Sequence, residues 1–143
     1  MTAHAAAGLH NAMPALPVKD VRTAAADYEV RLGFTIGHLS DDIAILSRDD
    51  VVLQLWAASD ASWSSRSAAS GSPVRSGAES FLAGTASCRI QVRDVDALHA
   101  ELEPRGVLHP SHPHVASTDF GTRELHALDL DGNLLTFVLW TQT

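Results

Sequence analysis

The sequence predicts an α+β fold in which two tandem βαβββ modules form a curved mixed sheet within one structural domain. Three observations predict it. Leu16-Pro17-Val18-Lys19-Asp20-Val21 is echoed by Ile90-Gln91-Val92-Arg93-Asp94-Val95, with the two Asp residues 74 positions apart. Each copy then ends alike, in a polar turn followed by an apolar strand. Ser47-Arg48-Asp49-Asp50 precedes the run 51–56, and Asp129-Leu130-Asp131-Gly132-Asn133 precedes the run 134–140. Asp-Gly and Gly-Asn favour a tight turn, because turn residues must tolerate positive φ. A strand as uniformly apolar as 134–140 belongs at the centre of a sheet, covered on both faces.

The elements follow in order. Residues 1–11 read as a frayed, Ala- and His-rich tail. The first module spans 12–58. Residues 13–18 read as a strand, and the prolines at 14 and 17 place it at an edge or a crossing point. Asp20 caps a helix whose Val21, Ala25, Tyr28 and Leu32 fall at helical spacing, and Gly33 stops it. Three strands follow, at 34–40, 43–48 and 51–58. Residues 59–84, rich in Ser, Ala and Gly, read as a long connecting loop with a short helix at 78–82. The second module spans 85–143. Asp94 caps a second helix, with Val95, Leu98 and Leu102 on one face and Gly106 beyond its end. Strand-like pieces at 114–117, 123–128 and 134–140 complete the copy. His109-Pro110-Ser111-His112-Pro113 reads as a rigid, irregular connection.

Composition narrows the function classes. At 143 residues and 45% hydrophobic, the chain has enough material for one core without disulfides. A net charge of −7 argues against nucleic acid and anionic membrane surfaces and mildly favours a cationic ligand. A single cysteine, Cys88, excludes an internal disulfide. No run is long enough to span a bilayer, and the start lacks the basic and apolar segments of a signal peptide, so a cytoplasmic protein is expected. No nucleophile elbow or phosphate loop is present. Cys88 reads as a small core residue on the helix-packed side of its strand.

Several motifs resemble the glyoxalase/bleomycin resistance/extradiol dioxygenase superfamily, the vicinal oxygen chelate fold. They are Val18-Lys19-Asp20-Val21 with Arg31-Leu32-Gly33-Phe34, Asp41-Asp42 with Arg48-Asp49-Asp50-Val51, and Gly121-Thr122-Arg123-Glu124-Leu125 with Asp129-Leu130-Asp131-Gly132-Asn133. The resemblance covers the chain except 1–10 and 59–84, and its first half looks most like the antibiotic-binding resistance proteins. Metalloenzymes of the superfamily place ligands at four equivalent points, which fall here at Met13, Gln54, Ser87 and Thr136. None offers a carboxylate or imidazole, so the expectation is no metal, no cofactor and no catalytic residue. His112 and His114 form an H-x-H pair able to share one strand face. The simpler reading is a solvated connection bracketed by prolines.

Strand alternation divides the side chains. Val18, Leu53, Leu55, Ile90, Val92, Leu135, Phe137 and Leu139 are expected to face the helices. The opposite face is expected to carry Met13, Ala15, Val52, Gln54, Trp56, Ser87, Arg89, Gln91, Thr136, Val138 and Trp140. That lining suits a flat or aromatic ligand, while Trp56 and Trp140 equally suit a filled core or a dimer seam. Arg89 is suited to stacking on a ring or pairing with an anion. His38 and His126 lie in strands, where each is either a ligand-bonding or a satisfied structural histidine. Phe120 sits where several resistance proteins present an aromatic ring to the drug, and Trp63 and Phe81 in the long loop are candidates to fold over the pocket mouth. The ligand-binding set is therefore Trp56, Trp140, Gln54, Arg89, Gln91, Met13, Thr136, His38, Phe120 and Trp63.

The resemblance implies a homodimer with exchanged first strands, Pro14 favouring an open arm, and two ligand grooves at the interface. The leading expectation is non-catalytic sequestration of a planar natural product, bleomycin-like or related, protecting by mass action. The alternatives are a metal-dependent lyase, isomerase or dioxygenase with displaced ligands drawn from His38, His112 and His114, and a small-molecule sensor or accessory protein.

Overall fold

A computed structural model describes residues 6–58 and 83–141. The loop that carries Trp63 and Phe81, and the short helix expected at 78–82, lie outside the described residues. The first module runs β1 (Ala15–Val18), α1 (Val21–Arg31), β2 (Thr35–Leu39), β3 (Ile43–Arg48) and β4 (Val51–Ala57). The second runs β5 (Ser87–Gln91), α2 (Val95–Leu102), β6 (Ala116–Ser117), β7 (Thr122–Leu128) and β8 (Leu134–Trp140). The strands hydrogen-bond as two four-stranded mixed sheets, ordered β1-β4-β3-β2 and β5-β8-β7-β6. The expected curved sheet is thus built as two separately bonded halves, one per repeat.

Local chemistry explains the boundaries. Asp20 accepts from the Thr23 N–H at 3.0 Å and Asp94 from the Ala97 N–H at 2.9 Å, so each caps its helix. The β3–β4 hairpin turns in two residues between paired Arg48 and Val51, with Asp49 at φ 52, a conformation Asp tolerates. β1 is shorter than expected. It begins at Ala15 and pairs in parallel with β4 of its own chain, Pro14 contributing only a carbonyl to the Gln54 N–H at 2.9 Å. The strand expected at 114–117 is reduced to Ala116–Ser117. Pro110 and Pro113 withhold N–H donors, and the stretch docks instead through the His109 N–H to the His126 carbonyl at 3.0 Å.

One core serves both modules. Leu16, Val18, Leu53 and Leu55 pack with Val21, Ala25 and Tyr28 of α1, while Ile90, Leu125, Leu135 and Phe137 pack with Val95, Leu98 and Leu102 of α2, in a single continuous cluster. β8 is the central strand, and its residues from Leu135 to Val138 are buried. Polar contacts also join the modules. Arg48 on β3 forms a bidentate pair with Glu101 on α2 at 2.7 and 2.8 Å. The chain enters the second module through Gly84, whose N–H reaches the Pro17 carbonyl at 3.1 Å. A Cβ at Gly84 would lie 1.9 Å from the Asp131 carbonyl oxygen, so only glycine permits this approach.

Candidate functional site

Cross-strand register fixes which side chains share the face turned away from the helices. In the second sheet, Arg89, Thr136 and His126 form one row across β5, β8 and β7, and Gln91, Val138 and Glu124 form the next. Trp140 lies opposite Thr122 at the following level. In the first sheet, Ala15, Gln54, Ile45 and His38 make one row, and Pro17, Trp56 and Ile43 another. Gln54 and Thr136 thus hold equivalent places in the two repeats. Met13 lies outside β1 and is exposed, and Ser87 starts β5.

The two faces differ. That of the first sheet is open and apolar, with Val52 and Ile43 among the exposed large hydrophobics. That of the second is polar and largely filled: Thr122, Glu124 and Thr136 are all buried. Glu124, 6% exposed, is bonded by the Arg89 guanidinium and accepts from Thr122 Oγ1 at 2.8 Å. Thr122 Oγ1 in turn lies 2.7 Å from Thr118 Oγ1. The Arg89 guanidinium beside Glu124 holds its carboxyl below the usual range, with Thr122 adding to the effect. Arg89 therefore has an internal counter-ion, and its availability to an anionic ligand is reduced. Phe120 and Trp140, both more than half exposed, stand at the end of this sheet, where the Thr141 N–H closes onto the Gly121 carbonyl at 2.9 Å.

Sequence reasoning missed Glu124, which sits two residues before His126 and shares its face; strand alternation from His126 was the signal that finds it. It also missed the packing of His112 against His126, with ring centroids 5.9 Å apart. His112 and His114 do not act as a strand pair: His112 turns to His109 and His126, whereas His114 lies 6.3 Å from His99. Neither converges with His38 on β2. Among the described residues no group of three His, Cys, Asp or Glu side chains is placed to hold a metal. No helix among them is long and apolar enough to cross a membrane.

A cleft of about 660 Å³ opens elsewhere, between the β3–β4 hairpin, α2 and β5, with Phe34, Arg48, Ile90, Leu98, Glu101 and Phe137 among its lining. Its volume falls in the range of ligand sites, but its polar groups are largely committed to the fold. Arg48 and Glu101 neutralise each other, and Asp94 caps α2. Gln91 reaches this cleft as well. Trp56 and Trp140 lie on the other face by strand register, and that face is the candidate site.

The repeated βαβββ fold, with Gln54 and Thr136 at matching places in the two repeats, is that of the glyoxalase/bleomycin resistance class. No family model matches the chain. The bleomycin resistance protein of Geobacillus stearothermophilus is 44% identical over 125 residues, covering 87% of this chain and 92% of that protein. The crystal structure of a bleomycin-binding protein complexed with bleomycin superposes with a TM-score of 0.66 at 26% identity, covering 92% of this chain and 98% of that one. A bleomycin resistance determinant encoded on the transposon Tn5 superposes with a TM-score of 0.65, also at 26% identity, covering 94% and 100%. The chain belongs to the bleomycin resistance protein family.

Proposed function

We propose that this protein binds and sequesters a planar or aromatic natural-product antibiotic of the bleomycin type, without chemical change to it, and so confers resistance. The observation that carries the reading is the 44% identity to a bleomycin resistance protein along nearly its whole length. The face turned from the helices supports it. Trp56, Gln54 and His38 line it in the first sheet, and Trp140, Arg89 and Gln91 in the second, where Thr136 is buried beneath them. Aromatic surface with a few fixed polar groups holds a flat ligand by stacking and hydrogen bonds. Protection then follows from mass action, since bound drug is withdrawn from its target.

The working form we propose is a homodimer with a ligand groove at each interface. The open apolar face of the first sheet is a surface that a second copy would cover. Exchange of β1 would reproduce its parallel register, Ala15 opposite Gln54, with the partner's β4. Sedimentation equilibrium tests this, and a monomer at micromolar concentration would rule it out.

The binding test is a tryptophan-fluorescence titration of the protein with metal-free bleomycin. Saturable quenching near one ligand per chain, reduced in Trp56→Phe and Trp140→Phe, is the expected result. No response at high ligand concentration would remove bleomycin as the ligand. Turnover lost on chelation would replace sequestration with a metal-dependent reaction.

A further inference from the structure

Three imidazoles form a built row on the second sheet's ligand-facing side. His126 on β7 sets Nδ1 3.0 Å from Thr136 Oγ1. The His112 ring lies 5.9 Å from it between centroids, and His109 lies 5.1 Å from His112. Backbone bonds hold the row in place: the His109 N–H donates to the His126 carbonyl at 3.0 Å, and the His112 N–H to the His109 carbonyl at 3.1 Å. The Ser111 N–H donates to His109 Nδ1 at 3.1 Å, so neutral His109 carries its proton on Nε2.

The charges around His126 come from every packed element. Glu124, on the same strand and face, attracts a proton; His109 and His112 from the irregular connection and Arg89 on β5 oppose one. Its partner on β8, Thr136, carries no charge, and β6 pairs with Glu124 and Arg123, not with His126. Burial is the largest influence and pushes the His126 imidazole below the usual histidine range, with only Glu124 working the other way. Nε2 of His126 makes no hydrogen bond among the described residues, so a ring nitrogen remains for a ligand.

We propose that His126 is a specificity-determining residue of the ligand-binding face: uncharged, it bonds a donor group of a cationic ligand, and a proton on its ring expels that ligand. This rests on the function proposed above and adds what sets the ligand's charge and the pH of release. A residue that merely filled space would leave binding insensitive to pH over the histidine range.

The experiment measures affinity for metal-free bleomycin between about pH 7.5 and 5.5, using the full chain and the variants His126→Gln, His112→Gln and, as an off-face control, His99→Gln. The full chain is expected to lose affinity by less than about tenfold, with the loss concentrated at the acid end, because burial holds the His126 imidazole below the usual histidine value. His126→Gln should flatten the profile, and His99→Gln should follow the full chain. The ligand's own titration is common to all and cancels in the comparison. Parallel profiles for the full chain and His126→Gln would overturn the proposal. If bleomycin fails to bind even at the highest pH, the proposed function falls, and histidine ring NMR of the free protein decides the rest. The His126 signal should titrate below the ordinary range and move in His112→Gln; an ordinary, unchanged titration would overturn the proposal.

Discussion

Tyr28 on α1 donates a 2.8 Å hydrogen bond to Asp129, a residue 101 positions further along the chain in the β7–β8 turn. Both are buried. Asp129 also accepts from Asn133 Nδ2 at 2.8 Å and from the N–H groups of Asp131 and Asn133 at 2.9 Å. Asn133 Nδ2 bonds the Pro17 carbonyl at 2.8 Å and its Oδ1 takes the Ala86 N–H at 3.0 Å. The turn is thus a clasp between the repeats as well as the end of a hairpin.

Removing the Tyr28 hydroxyl tests the clasp. Tyr28→Phe keeps the ring and its edge-on contact with Phe34, at 5.7 Å between centroids. It deprives a buried carboxylate of one donor, which costs about 1–3 kcal/mol. Asn133→Ala should cost more, because it leaves the Pro17 carbonyl and the Ala86 N–H without this partner. Urea midpoints at neutral pH check both. Equal stability of Tyr28→Phe and the parent would show that the bond contributes nothing net.

Acid sensitivity follows from two glutamates. The Arg48 guanidinium bonded to Glu101, and Arg89 bonded to Glu124, hold both carboxyls below the ordinary glutamate value of 4.5. The unfolded chain therefore takes up more protons as pH falls. The stabilisation is complete above 4.5 and is lost as pH drops through the folded-state values. Urea midpoints should fall across that window. Glu101→Gln should start lower at neutral pH and fall less steeply, and an unchanged slope would assign the acid loss to other groups.

Cys88 should resist modification. It is buried on the helix side of β5 within the shared core. Burial, and then the charge of Asp129, push its thiol up to about 11. A disulfide reagent near pH 8 should label it only on unfolding, at a rate that rises with urea. Rapid labelling of the folded protein would contradict the burial of Cys88 in the shared core.

The repeat was legible because its signals are local. Asp20 and Asp94 announce helix starts, and the turns around Asp49 and Gly132 announce hairpins. Alternation then assigned Gln54, Trp56, Arg89, Thr136 and Trp140 to the side away from the helices, and the ladders give Gln54 and Trp56 the same side of the first sheet and Arg89, Thr136 and Trp140 the same side of the second. What sequence could not supply were partners across strands. The Arg89–Glu124 pair spans an intervening strand, so no short spacing encodes it. The return of 109–113 onto β7 was hidden because the prolines erase the period-two pattern on which strand reading depends. The division into two sheets depends on how the repeats sit together, which neither repeat encodes alone.

Trp140 separates ligand contact from structural filling. It ends β8 opposite Thr122, two residues beyond Val138 and four beyond Thr136 on the same face, and it is 54% exposed. A side chain that exposed contributes little to the core, so Trp140→Ala should change stability by no more than about 0.5 kcal/mol. If it stacks on the ligand, the same change should weaken bleomycin binding about tenfold or more, and Trp140→Phe should fall between, since a smaller ring keeps part of the stacking area. A dimer seam predicts a different pattern. Trp140→Ala would then shift the association midpoint in sedimentation and lose affinity only at low protein concentration, recovering it as the chain is concentrated. Affinity loss independent of concentration assigns Trp140 to the ligand; loss that concentration repairs assigns it to the subunit interface.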